Sequence, residues 1–163
     1  MKTRLPSCPS AVSTSHDDTL VEHVNEALAN GIRISEFPTT EEAARYASEN
    51  GMTVLMGAPN IVRGGSHSGN VSAETVAREG YLGALSSDYV PISLISAVFS
   101  LNERGIMPLP EAMNLVSSHP AEAVGLDDRG RIAEGLRADL VRIRRLDDVP
   151  VVRNVWREGE RVF

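Results

Sequence analysis

Apolar residues recur at two spacings in the first half of the chain, and the two spacings alternate. Residues 20–28 are apolar at helical intervals, and Gly31 follows them as a helix stop. Shorter segments of small or apolar residues predict four strands, over 11–15, 32–37, 52–56 and 82–86. Strands that alternate with helices of about ten residues predict an α/β fold with a parallel sheet.

The segments between these strands carry helix and loop signals. Thr39 and Glu42 have the spacing of a capping box, which predicts the start of an alanine-rich helix that runs to Glu49. A second helix is predicted over 72–78. Residues 57–70 contain four glycines among polar residues and are predicted to form a loop.

The pattern changes twice in the second half of the chain. Apolar periodicity predicts helices over 92–101, 110–116 and 120–124. From Asp127 onwards, short apolar segments are separated by glycine-containing turns and predict a small antiparallel unit, with strands over 131–132, 138–143, 151–156 and 161–163.

Composition narrows the classes of function. The chain has 163 residues, 42% of them hydrophobic, which is sufficient for a globular core. Its 16 basic and 22 acidic residues give a net charge of −6, which argues against nucleic acid or an anionic membrane as a partner. A single cysteine excludes an internal disulfide, and no apolar run approaches the length of a membrane span. We therefore expect a cytoplasmic protein.

Polar residues gather at the predicted strand ends, where parallel α/β folds place their chemistry. His16, Asp17 and Asp18 offer an imidazole and two carboxylates, which suit zinc or manganese, although either aspartate would also serve as a helix cap. Asp88 has the same two interpretations. It either binds a metal and accepts a proton from water, or caps the helix that begins near residue 91.

Residues 60–70 form the segment richest in hydrogen-bond donors. Adjacent glycines expose backbone amides, and an arginine can grip an anion through two bonds, so this segment is suited to phosphate oxygens; the candidate binding residues are Arg63, Gly64, Gly65, Ser66, His67 and Asn70. It is not a Walker loop, because no lysine followed by serine or threonine closes it. A flexible surface loop is the alternative. His23 and His119 are interpreted as structural.

Five segments, taken in order and spacing, closely resemble one family. The segments are SHDD at 15–18, EFPTT at 36–40, VLMGAPN at 54–60, RGGSHSGN at 63–70 and SSDY at 86–89. On these segments, from about residue 11 to residue 163, the chain resembles the carboxyl half of the PhnM family, the diphosphatases of phosphonate breakdown within the amidohydrolase superfamily.

The resemblance implies a fold and its domain boundaries. Residues 11–125 are expected to form the carboxyl half of a (β/α) barrel of the amidohydrolase type, and residues 126–163 the carboxyl-terminal strands of a small β-sandwich. Residues 1–10 do not resemble the family and are expected to be a leader. A complete barrel takes roughly 250 residues, so about half of its strands are expected in this chain.

The resemblance also implies a reaction. The family's enzymes are metal-dependent hydrolases of the carbon-phosphorus lyase pathway that convert alpha-D-ribose 1-methylphosphonate 5-triphosphate to the 5-phosphate and diphosphate. By position, His16 corresponds to a metal-binding histidine, and Asp88 to the aspartate that binds metal and accepts the proton of the attacking water. Glu36 either binds the metal or supports a ligand, and Asp17 and Asn60 are expected to support the site.

The family's other metal ligands lie in the part of the barrel that this chain does not match. We therefore expect an incomplete zinc or manganese site, and a hydrolase that is active only with an amino-terminal half. A noncatalytic phosphate-binding or assembly module and a degenerate fragment are the alternatives. Because half a barrel would leave strand edges and apolar inner residues uncovered, self-association or pairing with that half is also expected.

Overall fold

The computed structural model describes residues 12–65 and 69–163, and its first feature is a parallel sheet. The sheet has the spatial order β1-β2-β3-β4, and every neighbouring pair is parallel. The strands are β1 (Thr14–His16), β2 (Ile34–Glu36), β3 (Thr53–Gly57) and β4 (Ala84–Ser86). The predicted α/β class is confirmed, and within the described residues the four strands form an open sheet, as expected of a partial barrel.

Seven helices are present among the described residues, and most of them follow the predicted pattern. They are α1 (Val21–Ala29), α2 (Glu41–Glu49), α3 (Ala58–Arg63), α4 (Ala73–Arg78), α5 (Ser93–Glu103), α6 (Leu109–Asn114) and α7 (Ser118–Ala123). The prediction of a continuous loop over 57–70 is wrong in its first half, because that half forms α3. Gly57 is the N-cap of α3, and the other glycines of this segment lie at and after the end of the helix, where Gly64 has a φ of 80°.

The hydrophobic core lies between one face of the parallel sheet and the helices. Val54, Met56 and Leu85 face the helices and pack with Val24, Ala43, Val76, Val98 and other buried side chains. The opposite face carries Thr14, His16, Glu36 and Ser86 together with a few apolar residues. β3 and β4 are therefore apolar toward the helices, whereas β1 and β2 direct Ser15 and Ser35 to that side, and the opposite face is mixed.

Apolar inner residues of the sheet were expected to be uncovered, but on the mixed face they are not. Ile34 is 5% exposed and Ala84 is 2% exposed, although both lie on this face. The large apolar side chains that are exposed among the described residues lie elsewhere, at Val12, Leu20, Val62, Tyr89, Ile92, Ile132, Val141, Leu146, Val149, Val162 and Phe163. Of the two grounds for expecting association, uncovered strand edges therefore remain, and an exposed apolar inner face does not.

Two helix starts differ from the sequence prediction. The N-cap of α2 is Thr40, whose hydroxyl accepts a hydrogen bond from the amide of Ala43 at 3.1 Å, whereas Thr39 was expected in this role. Thr39 instead contacts the hydroxyl of Thr19 at 2.8 Å. The caps of α1 and α5 make no side-chain bond, so the alternative in which Asp17, Asp18 or Asp88 caps a helix is wrong.

A separate antiparallel sheet occupies the carboxyl end, as predicted. Its strands are β5 (Leu140–Leu146), β6 (Val149–Arg157) and β7 (Glu160–Arg161), and the strand expected over 131–132 does not form. Arg145 joins this sheet to α5, because its guanidinium lies 2.6 Å from the carboxylate of Glu103 and 5.6 Å from the ring centroid of Phe99.

The expected leader over 1–10 lies outside the described residues, and the boundary between 125 and 126 stays a prediction. No helix among the described residues is both long and apolar enough to cross a membrane.

An ion-pair network joins helices α3, α4 and α5. The Glu74 carboxylate lies 2.8 Å from Arg78 and 2.6 Å from Arg104, and Arg104 also donates to the Ile61 carbonyl at 3.1 Å. The hydrogen bond from Arg78, followed by that from Arg104, holds the pKa of Glu74 below its ordinary value of 4.5 against the opposing effect of partial burial. The network therefore connects α4 and α5 to α3.

We expect Glu74→Gln to lower the free energy of unfolding by about 1 kcal/mol at neutral pH, because a charged partner of two arginines is lost. The folded carboxyl has the lower pKa, so its stabilisation is complete above 4.5 and is lost as the pH falls through the depressed folded value. Urea unfolding at several pH values measures this. Glu49→Gln, which breaks only an exposed pair within α2, is the control, and a difference that persists unchanged at low pH contradicts the interpretation.

Candidate active site

The candidate residues meet at the carboxyl edge of the parallel sheet, because all four strands end there. His16 ends β1, Glu36 ends β2 and Gly57 ends β3, while Asp88 follows β4 by two residues. His16 and Glu36 are register partners on neighbouring strands and therefore lie on the same face. Glu36 accepts a long hydrogen bond of 3.4 Å from the hydroxyl of Thr14.

Three residues at this edge have the left-handed backbone conformation that non-glycine residues rarely adopt. They are Asp17 with φ 58°, Phe37 with φ 55° and Asp88 with φ 48°. Each such residue costs roughly 1 kcal/mol or more, and each is held by a bond of its own amide. Asp17 donates to the Glu36 carbonyl at 3.0 Å, Phe37 to the Leu55 carbonyl at 2.9 Å and Asp88 to the Ser86 hydroxyl at 3.1 Å.

His16 is held between two neighbours. Its Nδ1 lies 3.0 Å from Oδ2 of Asp17, and its ring meets the Phe37 ring edge to face with the centroids 5.4 Å apart. Proteins commonly orient a metal-binding imidazole by engaging its other nitrogen with a carboxylate. The arrangement is therefore suited to a histidine that binds through Nε2.

A pocket of about 220 Å³ lies at the same edge of the sheet. Polar groups from three segments line it: Asn60 and Arg63 from α3, Asn70 from the segment before α4, and Asp88 and Tyr89 from the turn after β4. Gly57 separates Phe37 from Asp88, since a Cβ on this glycine would lie 3.6 Å from Oδ2 of Asp88 and 3.8 Å from Cε1 of Phe37. The structure therefore brings Asp88 together with Arg63, Asn60 and Asn70.

Arg63 lies at the mouth of this pocket and contacts an uncharged group. Its guanidinium donates to the Tyr89 hydroxyl at 3.2 Å, and within 12–65 and 69–163 it has no carboxylate partner. Its positive charge is therefore not neutralised by those residues, which suits the binding of an anion. Sequence reasoning missed Tyr89, although it directly follows Asp88, and it also missed Phe37 and Gly57, which sit inside two of the recognised segments.

Asn60 has a structural bond in the described structure. Its Oδ1 accepts from the amide of Ala73 at 2.9 Å and so satisfies the first turn of α4. His23 and His119 also bond to backbone groups, at 3.2 Å to the Thr19 amide and 2.9 Å to the Gly83 carbonyl. His119 lies at the opposite end of the sheet, beside a groove of about 480 Å³, away from the candidate site.

The described residues do not compose a complete metal site. They contain no group of three or more His, Cys, Asp or Glu side chains that could hold a metal ion, whereas a catalytic zinc has three protein ligands and a water. His16 and Asp88 come from the two edge strands, and their shared metal stays a prediction. The expectation that Gly64 and Gly65 expose their amides to phosphate is wrong, because both amides donate to the Asn60 carbonyl, at 3.1 and 3.2 Å, where α3 ends. Ser66 and His67 lie outside the described residues, and a phosphate-binding role for the other residues of this segment stays a prediction.

Comparison with known proteins decides the family. A model of the amidohydrolase family matches residues 13–163, which is most of the chain. The chain belongs to the amidohydrolase family.

This amidohydrolase chain is 53% identical over 151 residues to alpha-D-ribose 1-methylphosphonate 5-triphosphate diphosphatase of Escherichia coli (strain K12). The match covers 91% of the chain and 40% of that enzyme. The chain therefore spans less than half the length of this relative.

Solved structures confirm the fold. An amidohydrolase from Thermotoga maritima MSB8 superposes with a TM-score of 0.71 at 22% identity, covering 93% of this chain and 43% of that one. Beta-aspartyl dipeptidase from Fervidobacterium islandicum AW-1 superposes with a TM-score of 0.66 at 16% identity, covering 90% and 46%. At these identities the similarity shows the fold alone, which in this chain consists of four parallel strands followed by a small antiparallel sheet.

We expect Asn60→Ala to lower the free energy of unfolding by about 1 kcal/mol, because the buried amide of Ala73 loses its acceptor. Asn60→Asp keeps an acceptor oxygen at this position and is the matched control. Thermal unfolding of both variants measures the difference. An equal loss of stability in the two variants contradicts the role of the Asn60 oxygen.

Proposed function

We propose that this chain supplies the carboxyl-terminal part of a cytoplasmic, metal-dependent hydrolase that cleaves alpha-D-ribose 1-methylphosphonate 5-triphosphate to the 5-phosphate and diphosphate. The observation that carries the proposal is the 53% identity to the Escherichia coli enzyme of that name. The pocket that joins Asp88 to Arg63 supports it, because hydrolysis of a phosphoric anhydride needs both a proton acceptor and a cation for phosphate oxygens.

The proposed roles follow the position of each residue. Asp88 accepts the proton of the attacking water as the oxygen bonds to phosphorus and diphosphate leaves. Arg63 binds phosphate oxygens at the mouth of the pocket, where its charge has no carboxylate partner among the described residues. The side chains of Ser66, His67 and Asn70 complete the proposed polyphosphate site, and Gly64 and Gly65 contribute by ending α3 beside it.

The metal requires more ligands than this chain presents in its described residues. We assign His16 and Asp88 as two ligands of zinc or manganese, with Asp17 orienting His16, Glu36 as a ligand or a support for one, and Asn60 supporting the pocket through α4. Bound there, the ion would stabilise the negative charge that develops during phosphoryl transfer. The remaining ligands would come from strands that pair with the open edges of the sheet.

Those edges also define the proposed partner. β1 and β4 each have one strand neighbour in the described sheet, and an unpaired strand edge is a template for further pairing. On the free side of β4 the Leu85 amide already donates to the Leu115 carbonyl at 2.9 Å, so β1 has the more open edge. We propose that an amino-terminal half occupies these edges and that the chain self-associates when the half is absent. Neither a nucleic acid nor a membrane is part of the proposal.

The test mixes this chain with the amino-terminal part of the Escherichia coli relative, which we propose to be the part that this chain lacks, and measures diphosphate release in the presence of zinc or manganese. We expect activity from the mixture and none from either part alone. Asp88→Asn should lower kcat by roughly 10²- to 10⁴-fold, the usual contribution of a positioned proton acceptor. Asp127→Asn, which removes an exposed carboxylate after α7, should leave it unchanged.

Arg63→Gln in the same mixture should raise KM by roughly tenfold to a hundredfold, which corresponds to the loss of a charge-assisted bond. Arg45→Gln, on the exposed face of α2, is its control. Diphosphate binding without turnover, in a mixture shown by sedimentation to be assembled, would favour the phosphate-binding module over the enzyme.

A further inference from the structure

Asp18 is the one charged residue among the buried residues of the described structure. It is 5% exposed, and its Oδ2 accepts hydrogen bonds from the hydroxyls of Ser15 at 2.6 Å and Ser35 at 2.8 Å. Ser35 is fully buried. A buried carboxylate is costly unless such donors satisfy it, so this position is specified by its hydrogen bonds and not by packing alone.

The two serines are register partners on β1 and β2. One carboxylate oxygen therefore ties the edge strand to its only described neighbour, on the face toward the helices. β1 is only three residues long and forms few ladder bonds, so a side-chain bridge of this kind adds a substantial part of its attachment.

The position of Asp18 also fixes the backbone of Asp17, which lies between Asp18 and His16. To place the Asp18 side chain beneath the sheet, the backbone reverses at Asp17, where φ is 58°. The Asp18 carbonyl accepts from the Thr39 amide at 2.8 Å, and the Asp17 carbonyl accepts from the Thr19 hydroxyl at 3.2 Å. The turn is thus held from both sides.

This turn sets the surroundings of His16. Asp17 lies 3.0 Å from Nδ1 of His16, and the neighbouring turn places the Phe37 ring against the imidazole. The two turns are joined by the contact of 2.8 Å between the hydroxyls of Thr19 and Thr39. Helix capping does not account for Asp18, because α1 begins at Val21 and its cap, Leu20, makes no side-chain bond.

We propose that Asp18 is a positioning residue, which anchors the Asp17 turn from beneath the sheet and thereby holds His16 against Phe37 at the edge of the active site. The assignment of His16 to that site rests on the proposed function. The anchoring itself is a property of the folded chain and is measurable without turnover.

The readout is the set of His16 ring-proton resonances in the intact chain, which the adjacent Phe37 ring shifts. A His16→Gln variant assigns them among the four histidines, and Phe37→Leu gives the size and direction of the shift when the aromatic neighbour is lost. We expect Asp18→Ala to move the His16 resonances in the same direction as Phe37→Leu. We expect Ser35→Ala, a milder variant that removes one donor, to give a smaller shift of the same sign.

Two controls separate positioning from general loss of stability. Asp18→Asn keeps an oxygen that can accept from both serines and should largely restore the His16 resonances. Ser93→Ala removes another buried serine, which bonds to the Val90 carbonyl at 2.6 Å, and should leave them unchanged.

Unchanged His16 resonances in folded Asp18→Ala and Ser35→Ala would overturn the proposal, and so would an equal shift in Ser93→Ala. If the resonances move as expected but the mixture with an amino-terminal half releases no diphosphate, the positioning role stands and the proposed function fails. In an active mixture, Asp18→Ala should lower kcat with little change in KM, because His16 is assigned to the reacting end of the pocket.

Discussion

The parallel register of four short strands is the constraint on which the rest of this structure depends. Because the strands run in one direction, their carboxyl ends share one edge, and the residues that follow them are brought together although they are far apart in sequence. The helices pack against one face, where Val54, Met56 and Leu85 are buried. The other face is mixed, and it carries the polar residues His16, Glu36 and Ser86 at the site edge.

Strands of three residues form few backbone hydrogen bonds with their neighbours. At the site edge, side-chain hydrogen bonds provide further links between the strands. The carboxylate of Asp18 and the hydroxyls of Thr19 and Thr39 link the turn after β1 to the turn after β2. These bonds also stabilise left-handed residues that would otherwise be unfavourable. The same polar residues thus fasten the edge strand and fix the side chains of the site, which explains why hydroxyl and carboxyl groups cluster there.

Periodicity predicted the elements well where one face of a helix or strand is buried. The α1 and α2 helices and strand β2 fall inside their predicted segments, and β3 extends only one residue beyond its own, because burial imposes the spacing of apolar residues. It failed where tertiary bonds decide: Thr39 has the spacing of a cap, but its hydroxyl contacts Thr19, and Thr40 caps α2 instead.

The prediction of a loop over 57–70 failed for a similar reason. Residues 58–63 are helical because Pro59 suits a first turn and Ile61 is buried in the core, features that a reading of the polar residues alone overlooks. Of the candidate site residues, sequence reasoning located the strand-end positions, since parallel topology places them. It could not locate Tyr89 beside Arg63, because that contact joins segments that only the folded chain brings together.

The position of the two candidate ligands links the chemistry to the curvature of the sheet. His16 and Asp88 belong to the first and fourth strands, which would lie roughly 14 Å apart in a flat sheet at about 4.8 Å per strand. One metal ion with bonds of about 2 Å cannot bridge that distance. Asp88 shortens it by turning back over Gly57, and His16 leans toward the same side against Phe37. In the proposed site, the rest of the approach comes from bending of the sheet, which barrel closure imposes. Strands that close the barrel would then do more than add ligands, because they would also set the distance between His16 and Asp88.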